Sequence, residues 1–173
     1  MKDYLKQYFE KLKQLYLKEF GTNPTVPYFD NCSLFISSED EDGEAEWLPL
    51  EIENIEIKNK EKLTEELIEF YSSYYYLVLR GTYKNIHFDF SINMYSNERI
   101  NNFIDNAIKD GEYYFKSDNY ILIGTACMDG NDDILVFYDV KDNKVFLYDQ
   151  DFEEKIGDVF ELKDIIKNLS PDI

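Results

Sequence analysis

Apolar side chains recur at intervals of three and four residues in four segments, and this spacing predicts amphipathic helices. Gly21 follows the first segment in the position of a C-terminal cap, and Ser96 precedes the third in the position of an N-terminal cap. Asp110-Gly111 is expected to end the third helix. The four predicted helices cover Tyr4 to Phe20, Lys60 to Tyr71, Ser96 to Asp110 and about Leu162 to Leu169.

Short runs rich in β-branched and aromatic residues lie between these helices and predict strands. Tyr74 to Leu79 and Thr82 to Ile92 flank a break at Arg80-Gly81 and form the best hairpin candidate. Three later runs are separated by turns rich in Gly, Asn and Asp, which predicts an antiparallel meander: Tyr120 to Ala126, Ile134 to Tyr138 and Lys144 to Tyr148. The order of elements predicts an α+β fold, with an antiparallel sheet flanked by helices.

The length of 173 residues favours a single domain covering residues 1–173, and a hydrophobic content of 44% argues against disorder. The longest apolar runs, Tyr74 to Leu79 and Tyr120 to Ala126, are far shorter than the roughly 20 residues of a membrane-spanning helix. The N-terminus lacks the pattern of a signal peptide. We therefore expect a cytoplasmic protein without an integral membrane segment. Cys32 and Cys127 are far apart in sequence, so we expect free thiols.

Acidic residues outnumber basic ones by 36 to 18, which gives a net charge of −18. Such a chain repels nucleic acid and anionic membranes and attracts basic protein surfaces. The acidic residues concentrate in three segments whose composition indicates exposed turns. We predict partner contacts from these segments and from the single tryptophan: Glu39, Asp40, Glu41, Asp42, Glu44, Trp47, Asp129, Asp132, Asp133, Asp149, Asp151, Glu153 and Glu154.

Catalytic and metal-binding patterns are weak in this sequence. His87 is the only histidine, and it lies in an alternating strand pattern typical of a structural residue. Asp129-x-Asn131-x-Asp133 resembles the start of an EF-hand loop, but Ile134 and Val140 stand where glycine and glutamate are required. We therefore predict a non-catalytic protein without metal or cofactor. A hydrolase acting through clustered carboxylates is a remote alternative.

The order and character of the elements resemble the Syd family of SecY-interacting proteins and the wider SUKH superfamily that contains it. The resemblance extends from about Tyr4 to Leu169 and rests on element order more than on an invariant motif. It is carried by Trp47-x-Pro49, Glu65 to Tyr76, the strand ending at Phe88-Asp89-Phe90, Leu122-Ile123-Gly124-Thr125 and, after a charged turn, Ile134 to Tyr138.

This resemblance implies a non-catalytic binding role with one of two basic partners. Many SUKH members are immunity proteins that neutralise a toxin encoded by a neighbouring gene, whereas Syd binds the cytoplasmic face of the SecY translocon. Both partners present lysine and arginine, so the charge of this chain suits either. Our leading hypothesis is an immunity protein that binds a basic bacterial toxin. The alternative is a peripheral protein at the inner face of the membrane, bound to cytoplasmic loops of SecY.

Overall fold

A seven-stranded antiparallel sheet forms the centre of the fold, as seen in a computed structural model that describes residues 1–91 and 94–173. The helices are α1 (Lys2–Glu19), α2 (Glu65–Ser73), α3 (Asn97–Phe115) and α4 (Leu162–Asn168). The strands are β1 (Thr25–Pro27), β2 (Glu44–Glu46), β3 (Leu50–Glu51), β4 (Tyr74–Tyr75), β5 (Arg80–Tyr83), β6 (Ile86–Asp89), β7 (Tyr120–Met128), β8 (Asn131–Asp139), β9 (Lys144–Asp149), β10 (Glu154–Phe160) and β11 (Ser170–Pro171). The predicted α+β class, with helices against an antiparallel sheet, is confirmed.

The strand order in the main sheet is β10-β9-β8-β7-β6-β5-β11. The four strands from β7 to β10 form a consecutive meander, of which the first three strands were predicted. β10 was not predicted, because its alternation is interrupted by Gly157, which has a φ of +66° and lies at a register shift. Two further antiparallel pairs, β1 with β2 and β3 with β4, lie outside this sheet.

All four helices contribute to one hydrophobic core with the front face of the main sheet. Leu5 and Leu12 of α1, Leu67 of α2, Ile104 of α3 and Ile165 of α4 are at most 2% exposed and belong to this core. Alternate residues of the central strands point toward it, as the two-residue period of a strand requires. The apolar stripes that predicted the helices are therefore the faces that pack on the sheet.

The back face of the sheet carries a smaller aromatic cluster. Phe137 of β8 and Phe146 of β9 stack with ring centroids 5.8 Å apart, and both are buried. Tyr114 and Phe115, at the end of α3, pack against this cluster edge to face. The central strands are therefore buried on both faces, which explains the uninterrupted apolar run in β8.

The predicted hairpin between Tyr74–Leu79 and Thr82–Ile92 is wrong; Ile92 itself lies outside the described residues. β4 pairs with β3, and the hairpin is instead formed by β5 and β6. Its two-residue turn consists of Lys84 and Asn85, whose φ values of +51° and +62° suit a type I′ turn. Gly81, expected to break a strand, lies within β5, where a Cβ would stand 2.1 Å from the Ser170 carbonyl oxygen of β11.

Two helix boundaries also differ from the prediction. α2 begins only at Glu65, because the Thr64 hydroxyl caps it by accepting the amide hydrogen of Leu67 at 3.3 Å, and Lys60–Lys62 form a 3₁₀ turn instead. α3 continues past Gly111 to Phe115. Gly111 permits close packing here, since a Cβ at this position would lie 1.7 Å from the carbonyl oxygen of Tyr120.

Candidate partner-binding surface

Two of the three acidic segments meet at one end of the main sheet. Asp129 and Gly130 form the turn between β7 and β8, and residues 150–153 form the turn between β9 and β10. Ile134 of β8 pairs with Asp149 of β9, so the two turns are neighbours. The sequence predicted both segments as exposed turns. The structure restricts the first turn to Asp129 and Gly130, because Asn131–Asp133 already belong to β8.

Hydrogen bonds join the strand ends and residues at these two turns. The side-chain amide of Asn131 donates to the Asp149 carboxylate at 2.8 Å. The backbone N–H of Gln150 donates to the carbonyl oxygen of Asp133 at 3.1 Å. The phenol of Tyr114 donates to the side-chain oxygen of Gln150 at 3.1 Å, which links the second turn to the end of α3. The turns are thus held in a defined relative position.

Asp149 was predicted to contact a partner, but it is only 4% exposed. Its Oδ1 accepts the backbone N–H groups of Asp151 at 2.9 Å and Phe152 at 3.1 Å, while Oδ2 accepts from Asn131. A buried carboxylate requires such donors, since its water has been removed. Asp149 is therefore a structural residue that shapes the β9–β10 turn, and it does not belong to the contact surface.

The exposed carboxylates at this end of the sheet, with one aromatic side chain, constitute what we call the acidic turn surface. Within the part of the chain that the structure describes, none of these carboxylates has a basic nitrogen within 4.0 Å. Their mutual repulsion is therefore not offset by intramolecular ion pairs. The acidic turn surface comprises Asp129, Asp132, Asp133, Asp151, Phe152, Glu153 and Glu154, all exposed.

The nearest lysine in sequence does not neutralise this surface. Lys155 follows Glu154, but its Nζ lies 3.8 Å from the ring centroid of Phe146 and 4.8 Å from that of Tyr120. Its charge is therefore directed onto the aromatic cluster of the back face, where a cation–π interaction holds it. The strand period places Glu154 on the opposite face.

Phe152 is the functional candidate that sequence reasoning missed. Its side chain is 75% exposed in the middle of the β9–β10 turn, between Asp151 and Glu153. Among the large apolar side chains of the described residues, Phe152 has the highest exposed fraction, and an aromatic side chain that a partner can bury is a candidate interface anchor. The signal in the sequence was an aromatic residue within a run of acidic turn residues, but an exposed Phe and a buried one cannot be distinguished by that pattern alone.

The first acidic segment lies elsewhere, in β2 and in the turn that immediately precedes β2. Asp40 Oδ1 accepts the backbone N–H groups of Asp42 and Glu44, both at 2.9 Å, and so shapes the turn. The Glu44 carboxylate accepts the Thr25 hydroxyl at 2.6 Å across the pair. Among the described residues, no hydrogen bond or ion pair connects this segment to the acidic turn surface. Glu39, Glu41 and Asp42 are exposed there, and their carboxylates have no hydrogen-bond or ion-pair partner in residues 1–91 and 94–173.

Trp47 was also predicted as a contact residue, and its burial corrects this. The side chain is 0% exposed and packs edge to face on Phe9 of α1, with ring centroids 6.5 Å apart. Phe35 forms an isolated β-bridge with it. Trp47 is therefore part of the core that joins the β1–β2 pair to α1.

His87 and Cys127 lie opposite each other on β6 and β7. His87 Nδ1 is 2.8 Å from a carboxylate oxygen of Asp172, so the imidazole ties the end of the chain to the sheet. A hydrogen bond to Asp132 raises the pKa of the Cys127 thiol, which favours the thiol over the nucleophilic thiolate. Both cysteines are free thiols, as predicted.

Residues 1–91 and 94–173 contain no group of three or more His, Cys, Asp or Glu side chains arranged to hold a metal ion. In the same ranges, no helix has both the length and the apolar character needed to cross a bilayer.

Comparison with known proteins finds no matching family model and no matching curated protein for this chain. The resemblance to the Syd and SUKH proteins is thus a prediction based on element order. The arrangement of the acidic turn surface is the observation on which a functional proposal can rest.

Proposed function

We propose that this protein is a non-catalytic inhibitor that binds a basic protein through the acidic turn surface. The partner that this proposal favours is the toxin domain of a bacterial toxin, which the protein would neutralise by covering its cationic active-site surface. The observation that supports it most directly is the group of exposed carboxylates around the exposed Phe152, which have no basic partners in the described part of the chain.

Charge supplies the first step of this mechanism. Six carboxylates on two adjacent turns and the strand ends beside them, in a chain of net charge −18, attract a cationic surface over a distance of about 8 Å at physiological salt. Association of this kind is fast at low ionic strength and slows as salt rises. A nuclease, which holds a phosphate backbone with lysine and arginine, is one class of toxin with a suitable surface.

Apolar contact and rigidity supply the second step. Phe152 offers a side chain that a pocket on the partner can bury, and burial of an aromatic residue at the centre of an interface typically dominates its energy. The Asp149 carboxylate holds the backbone N–H groups of Asp151 and of Phe152 itself. Little conformational entropy is then lost when the partner binds.

The primary test is affinity capture from the native organism at low and at high salt, with the bound proteins identified by mass spectrometry. We expect the toxin domain to be recovered at low salt and to be reduced at high salt. Recovery of SecY instead would replace the toxin by the translocon as the partner. Recovery of no basic protein at low salt would refute the proposal.

Matched variants then locate the interface on the recovered toxin domain. Asp151→Asn, Glu153→Gln and Glu154→Gln together remove three charges from the acidic turn surface. Glu39→Gln, Glu41→Gln and Asp42→Asn together remove three charges from the first acidic segment. We expect the first triple variant to reduce the association rate constant at least tenfold at low salt, and the second less than about twofold. Equal reductions of the association rate constant in the two triple variants would show that association depends on the net charge of the protein and not on the position of its acidic residues.

A further inference from the structure

A groove between α1 and the segment that follows β2 has a volume of about 240 Å³. Its walls are mostly apolar and include Phe9, Trp47, Leu48 and Tyr74. Typical sites for drug-sized ligands occupy roughly 300–1,000 Å³, so an occupant of this groove is smaller. No residue of the acidic turn surface lines it.

Trp47 is one of the residues that line the groove, and its side chain is fully buried. Trp47 is 0% exposed, and its Nε1 has no hydrogen-bond acceptor among the described residues. Because this nitrogen has less than 1 Å² of accessible surface, an occupant of the groove does not contact it. Recognition of a charged ligand therefore depends on the charged groups at the rim.

The rim of the groove carries positive charge in a strongly acidic protein. Lys6 and Lys13 of α1 both line the groove, and within the described ranges neither forms an ion pair. Glu10 also lines it and offsets one of these charges. α1 as a whole contains five lysines and three acidic residues, whereas the chain has a net charge of −18. An anion is therefore attracted to this face although it is repelled by most of the surface.

We propose that this groove binds a small organic carboxylate with an apolar body, such as an arylalkyl or alkyl acid. The apolar body fills the space beside Phe9 and Leu48, and the carboxylate lies at the rim formed by Lys6 and Lys13. This site goes beyond the proposed inhibitor function and is independent of it.

The test uses 3-phenylpropionate, with 3-phenylpropanol and 3-phenylpropylamine as comparison compounds that share its apolar body. Trp47 is the only tryptophan, so its selectively excited fluorescence reports directly on the groove. We expect saturable binding of the acid with a dissociation constant of about 0.01–1 mM, which is ordinary for a ligand of this size. The alcohol should bind at least about fivefold more weakly, and the amine more weakly still.

Variants on α1 distinguish recognition of the ligand's charge from nonspecific hydrophobic binding. Lys6→Gln with Lys13→Gln should weaken binding of the acid at least about fivefold and leave binding of the alcohol unchanged. Lys11→Gln is the matched control, since Lys11 is exposed on the same helix but does not line this groove, and its effect should stay below about twofold. Glu10→Gln should tighten binding of the acid.

Three results would overturn the proposal: no saturable fluorescence change up to about 10 mM acid, equal affinity for the acid, the alcohol and the amine, or an equal loss in the Lys11 variant and the double variant. All these variants keep Trp47, so tryptophan fluorescence reports ligand binding in each of them. The triple variant of the acidic turn surface should bind 3-phenylpropionate normally, which distinguishes failure here from failure of the inhibitor function.

Discussion

Asn131, at the start of β8, donates a hydrogen bond at 2.8 Å to the buried carboxylate of Asp149, at the end of β9, although the two residues are 18 positions apart in the sequence. The same carboxylate accepts two backbone N–H groups of the β9–β10 turn. One buried acidic side chain thus organises the turn on which several exposed acidic residues are displayed. Acidic residues in this protein therefore have two roles: the buried Asp149 shapes the turn, and the exposed acidic residues form the acidic turn surface.

Asp149→Ala should lower the free energy of unfolding by about 2–4 kcal/mol, because three donors lose a charged acceptor. Asp149→Asn keeps one acceptor oxygen and should cost about half as much. Urea denaturation measures both changes. Asp151→Ala is the control, and its effect should stay within about 0.5 kcal/mol because the side chain is exposed. A loss below about 0.5 kcal/mol in Asp149→Ala would contradict the structural role.

Gly111→Ala tests the close approach of α3 to the start of β7. In most helix interiors this substitution stabilises the protein by roughly 0.5–1 kcal/mol. Here the added Cβ would lie 1.7 Å from the backbone oxygen of Tyr120, so we expect destabilisation by more than about 2 kcal/mol, measured by thermal or urea unfolding. Lys109→Ala, at an exposed position of the same helix, should change stability by less than about 0.5 kcal/mol. A stabilising Gly111→Ala would contradict this packing.

The Cys127 thiol should titrate at a higher pH than an ordinary cysteine, because its hydrogen bond to Asp132 raises its pKa. Asp132→Asn removes the negative charge and should lower that pKa, so alkylation by iodoacetamide should begin at a lower pH. The Cys32→Ser background leaves Cys127 as the only thiol. Asp133→Asn serves as the control. An alkylation profile that is identical with and without Asp132 would refute the contact.

Glu161 gives a pH dependence of stability with a defined sign. A hydrogen bond from Lys144 and the nearby charges of Lys144 and Lys163 lower its pKa from the ordinary value of 4.5. A carboxyl whose pKa is lower in the folded state stabilises the fold above its unfolded pKa, and this contribution is lost as the pH falls through the folded pKa.

Glu161→Gln should therefore lower the thermal unfolding midpoint slightly at pH about 7 and have no effect at pH about 3. The effect is small because the ion pair is exposed to solvent. Glu154→Gln is the control, because Glu154 has no basic partner among the described residues. Its thermal unfolding midpoint at pH about 7 should not be lowered. A difference between Glu161→Gln and the parent protein that persists at pH about 3 would contradict the assignment to charge.

Local patterns in the sequence were sufficient to locate the four helices and the first three strands of the meander, although β10 and two helix boundaries were not predicted correctly. The stripe from Tyr4 to Phe20 predicted α1, and the apolar runs in β7, β8 and β9 predicted three neighbouring strands, because helix periodicity and short turns depend on residues close in sequence. The pairing of Tyr74–Leu79 was not predictable in this way. Arg80-Gly81 and Lys84-Asn85 both carry turn-forming residues, and only the non-local pairings of β4 and β5 select between them.

The candidate surface also combines features that the sequence determines with features that depend on the tertiary structure. Composition alone determined that the chain is acidic and that its acidic residues gather in three segments. Only the tertiary structure decided that two segments share one end of the sheet, that Asp149 and Trp47 are buried, and that Phe152 is exposed. The physical reason is that charge and periodicity belong to the chain itself, whereas burial and proximity depend on strand pairing and helix packing between residues far apart in sequence.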